Sequence, residues 1–157
     1  MTEVERIADQ LERACAGEAW HGPSLGEVLV GVTAREAAAR PVAGAHSIWE
    51  IVLHLAAWEG AVRRRLGGDA ARLTPEEDWP AASGGGEAAW GQALAALDAE
   101  RRALHEAVCA LSDESLNARV PGKDYSVYFM LQGVIQHNLY HAGQIALLRK
   151  MPPAEGR

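Results

Sequence analysis

The sequence predicts an all-α protein, a four-helix bundle with short connector helices. Four long segments repeat apolar residues at intervals of three and four, the spacing that places them on one face of an α-helix. Three segments open with Ser or Thr followed three residues later by Glu, which is the capping-box pattern of a helix N-terminus. No segment alternates apolar and polar residues as a half-buried strand does. With 157 residues, 48% of them hydrophobic, the chain is expected to form one domain over residues 1–157.

The first predicted helix runs from a capping box at Thr2 and Glu5 to about residue 16. Its apolar stripe consists of Val4, Ile7, Leu11, Ala14 and Cys15. The Gly and Pro of AWHGPSL then interrupt the helical pattern. A short helix is expected around Leu25, Val28 and Leu29, and a capped turn begins at Thr33 and ends before Pro41.

The second predicted helix opens at a capping box of Ser47 and Glu50 and runs to about Leu66. Its inner face carries Ile51, His54, Trp58 and Val62. Residues 67–86 are then rich in Gly, Ala, Pro and acidic residues, which predicts a long connection. Connections of that length often cross the end of a bundle or carry function.

The third and fourth predicted helices fill the rest of the chain. The stripe of the third consists of Trp90, Leu94, Leu97, Leu104, Val108 and Leu111. The segment SDESL that follows predicts a single helical turn. The fourth helix starts near Ser126 and runs to about Lys150, where Pro152 and Pro153 stop it.

Charge and hydropathy exclude several classes of partner. The net charge is -6, and no basic stripe interleaved with aromatic residues is present, which argues against nucleic acid. No apolar run approaches the roughly 20 residues that span a bilayer, and MTEVERIADQ does not resemble a signal peptide. We therefore expect a cytoplasmic protein without a membrane partner. Cys15 and Cys109 lie far apart in helical patterns, so reduced thiols are expected rather than a disulfide.

The last predicted helix carries a histidine pair, His137 and His141, in the run QHNLYHAGQ. Side chains four residues apart project from one face of a helix about one turn apart. Both can then reach one ion at the roughly 2.0–2.1 Å that zinc and similar metals require. A pair fills only two coordination positions, and His54 is the best candidate for a third ligand because it also lies on an apolar helical face.

The histidine pair is predicted to point into the bundle. The residues within about 60° of His137 form an inward face marked by its apolar members: Met130, Val134, His141, Gln144 and Leu148. Gly133, one turn before His137, leaves open space for a substrate or water. Because such pairs also arise by chance, the spacing alone leaves open both a metal site and ordinary core histidines. A zinc protease is disfavoured, since Asn138 stands where the HExxH motif requires Glu.

The segment HSIWEIVLHLAAWEG, followed later by GVIQHNLYHAGQIALLRK, resembles the DinB-like family of metalloenzymes, also called DNA-damage-inducible or YfiT-like. The run AWHGPSLGEVLVGVT resembles the first connector of many members, so the resemblance spans nearly the whole chain. It implies up-down-down-up topology, a divalent metal held by His54, His137 and His141, and a homodimer. The family's name does not imply a role in DNA repair here, because nothing in this acidic sequence points to DNA.

The same resemblance suggests a function. Better-understood relatives transfer or isomerise groups with low-molecular-weight thiols, which implies a thiol-dependent S-transferase with a small-molecule substrate. Three neutral imidazoles leave coordination positions open, as in catalytic rather than structural sites. A metal-dependent hydrolase of a small substrate and a non-catalytic metal-binding or stress-response module are the alternatives. Zinc, nickel, iron and manganese all stay open as the metal.

Glu50 and Gln144 are candidates for orienting a nucleophile or a ligand imidazole from behind the metal ligands. Glu50 also has a purely structural explanation as the third residue of its capping box. His21 and His46 can line a pocket mouth or face water. An apolar aromatic surface around Trp79 and Trp90 is either a dimer interface or a cap on the core.

Overall fold

The computed structural model describes residues 1–151, and every regular element within that range is helical, which confirms the predicted all-α class. The four long helices are α1 (Glu3–Ala16), α4 (Ile48–Leu66), α6 (Gly86–Cys109) and α7 (Val127–Leu148). Shorter elements connect them: α2 (Leu25–Leu29), α3 (Ala34–Ala38), α5 (Pro75–Asp78) and a 3₁₀ helix (Asp113–Asn117). The predicted stop signal for the last helix, Pro152 and Pro153, lies outside the described residues.

Capping boxes start the helices where the sequence predicted them. At α4, the Ser47 amide donates to Glu50 Oε2 at 2.8 Å while Ser47 Oγ accepts from the Glu50 amide at 3.2 Å. The exception to the prediction is α5, which lies inside the segment expected to be a loop. Its signal was present in the sequence, since Thr74 and Glu77 form a capping box and Pro75 occupies the first helical position.

Each of α1 and α4 packs against both α6 and α7, so α1 lies diagonally across the bundle from α4. The helices α4 and α6 run parallel. Trp49 near the start of α4 packs on Trp90 near the start of α6, with ring centroids 5.3 Å apart. Towards the other end, Arg63 Nε lies 2.9 Å from Glu100 Oε2. The chain between two parallel helices must travel back along the bundle, which explains the long connection.

The helix α7 runs antiparallel to α4, and α1 runs antiparallel to α6. His141 in the second half of α7 faces His54 in the first half of α4, whereas Tyr125 just before α7 contacts Arg65 near the end of α4. Asp113, shortly after α6, accepts hydrogen bonds at 3.0 and 2.9 Å from two amides in the first turn of α1. The four long helices therefore have the up-down-down-up topology that the resemblance implied.

The core consists of two apolar clusters. One includes Ile51, Val52, Leu55, Trp90, Ala142 and Ile145. The other includes Ile7, Leu11, Val62, Leu104, Leu131 and Val134. Where the clusters meet, α4 and α7 bury four polar residues: His54, Glu59, Asn138 and His141. Trp90 is 2% exposed and donates from Nε1 to the Val32 carbonyl at 2.7 Å, so it belongs to the core and not to a surface for dimerisation.

Two further observations on the described residues concern hydropathy and the cysteines. No helix in residues 1–151 combines the length and the hydropathy needed to cross a membrane. Cys15 is buried, Cys109 is exposed, and neither forms a disulfide.

Candidate metal centre

Three histidines from α4 and α7 converge on one point. One ring nitrogen of each of His54, His137 and His141 lies within 4.8 Å of the corresponding nitrogens of the other two. His54 Nε2 and His137 Nε2 are 2.9 Å apart. The structure therefore brings together the three residues that the sequence singled out.

Two of the three imidazoles are oriented by hydrogen bonds on the side away from the cluster. His54 Nδ1 lies 2.6 Å from the Asp78 carbonyl oxygen, and His141 Nδ1 lies 2.7 Å from Gln144 Oε1. Because a carbonyl oxygen can only accept, each Nδ1 carries the proton, and each Nε2 presents a lone pair to the cluster. This arrangement is typical of metal-binding histidines.

Burial keeps the cluster neutral. Burial is the largest cause of the lowered pKa values of His137 and His141, both of which are about 4. His141 and His54 contribute to the lowering at His137, and His54 and His46 contribute at His141, where the Gln144 hydrogen bond acts in the opposite direction. Burial also lowers the pKa of His54. Neutral imidazole is the form that binds a metal.

The donor set fits a divalent transition metal. His137 Nδ1 is buried without a hydrogen-bond partner in residues 1–151, so this ring is not held from behind as those of His54 and His141 are. Three imidazole nitrogens without a carboxylate suit zinc, nickel or iron, whereas magnesium and calcium prefer oxygen ligands.

Asp78 and Trp79, at the end of α5, complete the surroundings of His54 and were not predicted. Trp79 lies between two imidazoles, stacked at 3.8 Å on His54 and at 3.5 Å on His46. Asp78 Oδ1 accepts a hydrogen bond from Trp58 Nε1 at 2.7 Å and lies 3.2 Å from His54 Nδ1. The capping box that starts α5 was the local signal for an ordered segment here.

The two proposed orienting residues have different surroundings. Gln144 contacts a ligand candidate directly through its bond to His141. Glu50 instead caps α4, forms an ion pair with Arg40, and lies 3.6 Å from His46 Nδ1. The acidic residue in contact with His54 is Asp78. His21 is exposed in the first connector.

A cavity of about 350 Å³ opens beside the cluster. Its wall is mostly apolar, and its lining includes Trp58, Val62, Phe129, Met130 and Val134. Gly133 also lines it, and a Cβ atom added there would have no heavy atom within 4 Å. The open space that the sequence predicted next to His137 is therefore present.

Comparison with known proteins places this architecture in a family. The model of the DinB superfamily matches residues 20–145, which include the three histidines and the connection that carries Asp78 and Trp79. No curated protein and no solved structure matches the chain. Since the matched segment covers well over half of the sequence, the chain belongs to the DinB superfamily.

Proposed function

We propose that this protein is a metal-dependent enzyme that binds one divalent ion through His54, His137 and His141 and transfers a small substrate onto a low-molecular-weight thiol. The observation that carries the proposal is the convergence of three neutral imidazoles beside an open apolar cavity. No further His, Cys, Asp or Glu of residues 1–151 joins this cluster, and catalytic sites differ from structural ones by such an incomplete set of protein ligands.

The surrounding residues have separable roles. A divalent ion in such a site supplies an open coordination position and lowers the pKa of a thiol or a water that occupies it. The Asp78 carbonyl and Gln144 hold two of the ring orientations, and Trp79 covers one face of His54. Gly133 leaves room for the substrate next to His137.

The state of the cavity favours an enzyme over a module whose metal only stabilises the bundle. A tryptophan that filled the space beside Gly133 would support the non-catalytic module, because no room for a substrate would remain. Trp58 instead lines the cavity, where its Nε1 bond to Asp78 holds it to one side. Trp49 is packed in the core against Trp90.

Metal analysis tests the site itself. We expect one equivalent of zinc or nickel in the reconstituted protein, and loss of that equivalent in each of the His54→Ala, His137→Ala and His141→Ala variants. The exposed His21 supplies the control, because His21→Ala should keep full stoichiometry. A wild-type protein that takes up no metal, or variants that all retain it, would refute the metal site.

A turnover assay with a model electrophile tests the reaction. Bacillithiol, mycothiol and glutathione are supplied separately, and one reaction contains no thiol. We expect product only where a thiol is present, and none with His137→Ala. Turnover without any thiol would instead identify a hydrolase, and no turnover under any condition would favour the non-catalytic module.

We further propose a cytoplasmic homodimer that acts on small molecules and not on nucleic acid or membranes. Support for the dimer comes from an exposed stripe of α7 at heptad spacing: Gln136, Tyr140, Gly143 and Leu147. Tyr140 and Leu147 are 65% and 61% exposed, and Gly143 permits close approach of a second helix. Light scattering should give twice the chain mass for the wild type, and a monomer for Tyr140→Glu. The exposed Trp20 provides a control, since Trp20→Glu should leave the mass unchanged.

A further inference from the structure

The end of the cavity that lies away from the histidines contains a buried guanidinium. Arg65 follows His54 by eleven residues on α4, so the two side chains leave nearly the same face of the helix about 16 Å apart along its axis. Arg65 is 4% exposed and lines the cavity. Its side chain reaches back towards the histidines, because the guanidinium carbon lies 5.4 Å from the centroid of the Trp58 ring.

The charge of Arg65 has no acidic partner within residues 1–151. Its Nε donates to the Ala71 carbonyl at 3.0 Å, and its Nη1 contacts the Tyr125 hydroxyl oxygen at 3.4 Å. No carboxylate of the described residues lies within ion-pair distance, although such a buried charge is normally compensated. The terminal edge of the guanidinium, formed by its two Nη atoms, therefore remains available to a ligand.

Two neighbouring groups make this end of the cavity suitable for an anion. The Tyr125 hydroxyl receives the Arg65 contact on its oxygen and donates its own proton to no acceptor in residues 1–151, so it can donate to a ligand. The pKa of Lys123 is lowered by burial and further by the positive charges of Arg65 and Arg72. Positive charge thus accumulates here in a chain whose net charge is -6.

We infer that Arg65 and Tyr125 bind a carboxylate group of the substrate, and that the cavity accepts a small carboxylic acid with an aromatic or aliphatic body. The planar edge of a guanidinium matches a carboxylate, and an apolar wall matches the body. The Trp58 ring separates the guanidinium from the cluster, since its centroid is also 5.9 Å from that of His137. A ligand about as long as an indole ring would reach from one end to the other.

This inference rests on the proposed function only where it treats the bound carboxylic acid as the substrate of a metal site at the histidines. The anion site itself needs no metal, so binding can be measured on the metal-free protein. If carboxylates bind but metals do not, the proposed function fails and the anion site stands. If metals bind but carboxylates are not preferred, only the anion site fails.

Calorimetry with matched probes tests the site. Phenylacetate, 3-phenylpropionate and 4-phenylbutyrate are each compared with their amides, which have the same shape without the charge. We expect the best carboxylate to bind wild-type protein about tenfold to a hundredfold more tightly than its amide, as for a charge-assisted hydrogen bond. Equal affinity for acid and amide throughout the series would overturn the inference. Binding of 2-phenylethylphosphonate more tightly than the best carboxylate would also overturn the inference, because it would assign the site to phosphate-bearing ligands.

Variants assign the preference to particular side chains. Arg65→Gln should abolish the preference for the acid, and Tyr125→Phe should reduce it severalfold while the fold and Arg65 remain. The neighbouring Arg64 is the matched control, because it is about half exposed and pairs with Asp69, so Arg64→Gln should bind like wild type. Circular dichroism verifies that each variant is folded. A preference that survives in both Arg65→Gln and Tyr125→Phe would overturn the assignment.

Discussion

Glu59 provides the sharpest test of the packing, because it is a carboxyl group buried at the junction of the two apolar clusters. Its side chain is 0% exposed. Oε1 accepts a hydrogen bond from Asn138 Nδ2 at 2.8 Å, while Oε2 has no partner in residues 1–151. Its pKa is raised to about 7, chiefly by burial and in small part by Glu100, against the opposing effects of the Asn138 hydrogen bond and the positive charge of Arg101.

The sign of the pH dependence follows from this raised pKa. Below pH 4.5 the carboxyl is protonated in both the folded and the unfolded state, so it adds no pH-dependent term. Between pH 4.5 and about 7 only the unfolded state ionises, so stability falls as pH rises. Above pH 7 the carboxyl is ionised in both states, and the loss in free energy of unfolding reaches its full value. At about 1.4 kcal/mol per pKa unit, that loss is about 3 kcal/mol.

Glu59→Gln should remove this penalty. The amide keeps an oxygen for Asn138 Nδ2, and its nitrogen can donate to Asn138 Oδ1, which has no partner in residues 1–151. Urea unfolding of metal-free protein at pH 4.5, 6 and 8 measures the difference in free energy of unfolding between the variant and the wild type. We expect that difference to grow by about 3 kcal/mol in favour of the variant across this range. A difference that does not change with pH would refute the argument, and Glu76→Gln, at an exposed position of α5, should show none.

Three further predictions concern the site and its support. Gln144→Ala removes the acceptor of the His141 Nδ1 proton and should weaken zinc affinity about tenfold to a hundredfold in a chelator competition. Gly133→Ala should raise the free energy of unfolding by about 0.5–1 kcal/mol, because a Cβ fits there in a helix, while narrowing the cavity and weakening phenylpropionate binding. Trp90→Phe removes the donor to the Val32 carbonyl and should destabilise the protein by about 1–3 kcal/mol in a urea titration.

Each of these changes has a matched control in the same chain. Gln136→Ala, on the exposed side of α7, should leave zinc affinity unchanged, and an equal loss in both variants would contradict the role of Gln144. Gly91→Ala, on the exposed side of α6, should stabilise the protein about as much as Gly133→Ala does, but it should leave phenylpropionate binding unchanged. Trp20→Phe should leave the free energy of unfolding unchanged, since Trp20 is fully exposed. A loss of stability in Trp20→Phe comparable to that in Trp90→Phe would mean that burial does not explain the destabilisation by Trp90→Phe.

The helices and the histidine pair could be predicted because both depend on local patterns. A capping box such as that of Thr2 and Glu5 involves residues three apart, and the spacing of His137 and His141 fixes their common face. Placing His54 in the same cluster required only that two apolar faces pack together. The relative directions of the helices came from the family resemblance, because periodicity does not determine how helices are connected.

Asp78, Trp79 and Glu59 were missed for different physical reasons. Asp78 and Trp79 reach His54 through a tertiary contact of a segment that looks like a loop in the sequence. Glu59 did leave a signal, since it occupies an apolar helical face between Leu55 and Val62. Glu50 caps α4 and pairs with Arg40, as its capping-box position indicated, and its role in orienting a nucleophile or a ligand stays a prediction.

The parallel arrangement of α4 and α6 has a consequence for how the site is assembled. The helix α4 has 19 residues and is about 28 Å long, and residues 67–85 must retrace that distance before α6 begins. On the way, the end of α5 comes against His54, so a connecting segment forms part of the surroundings of the histidine cluster while the three histidines themselves lie on α4 and α7. Substitutions at Asp78 or Trp79 would therefore change the surroundings of His54, while the three histidines keep their places on two long helices.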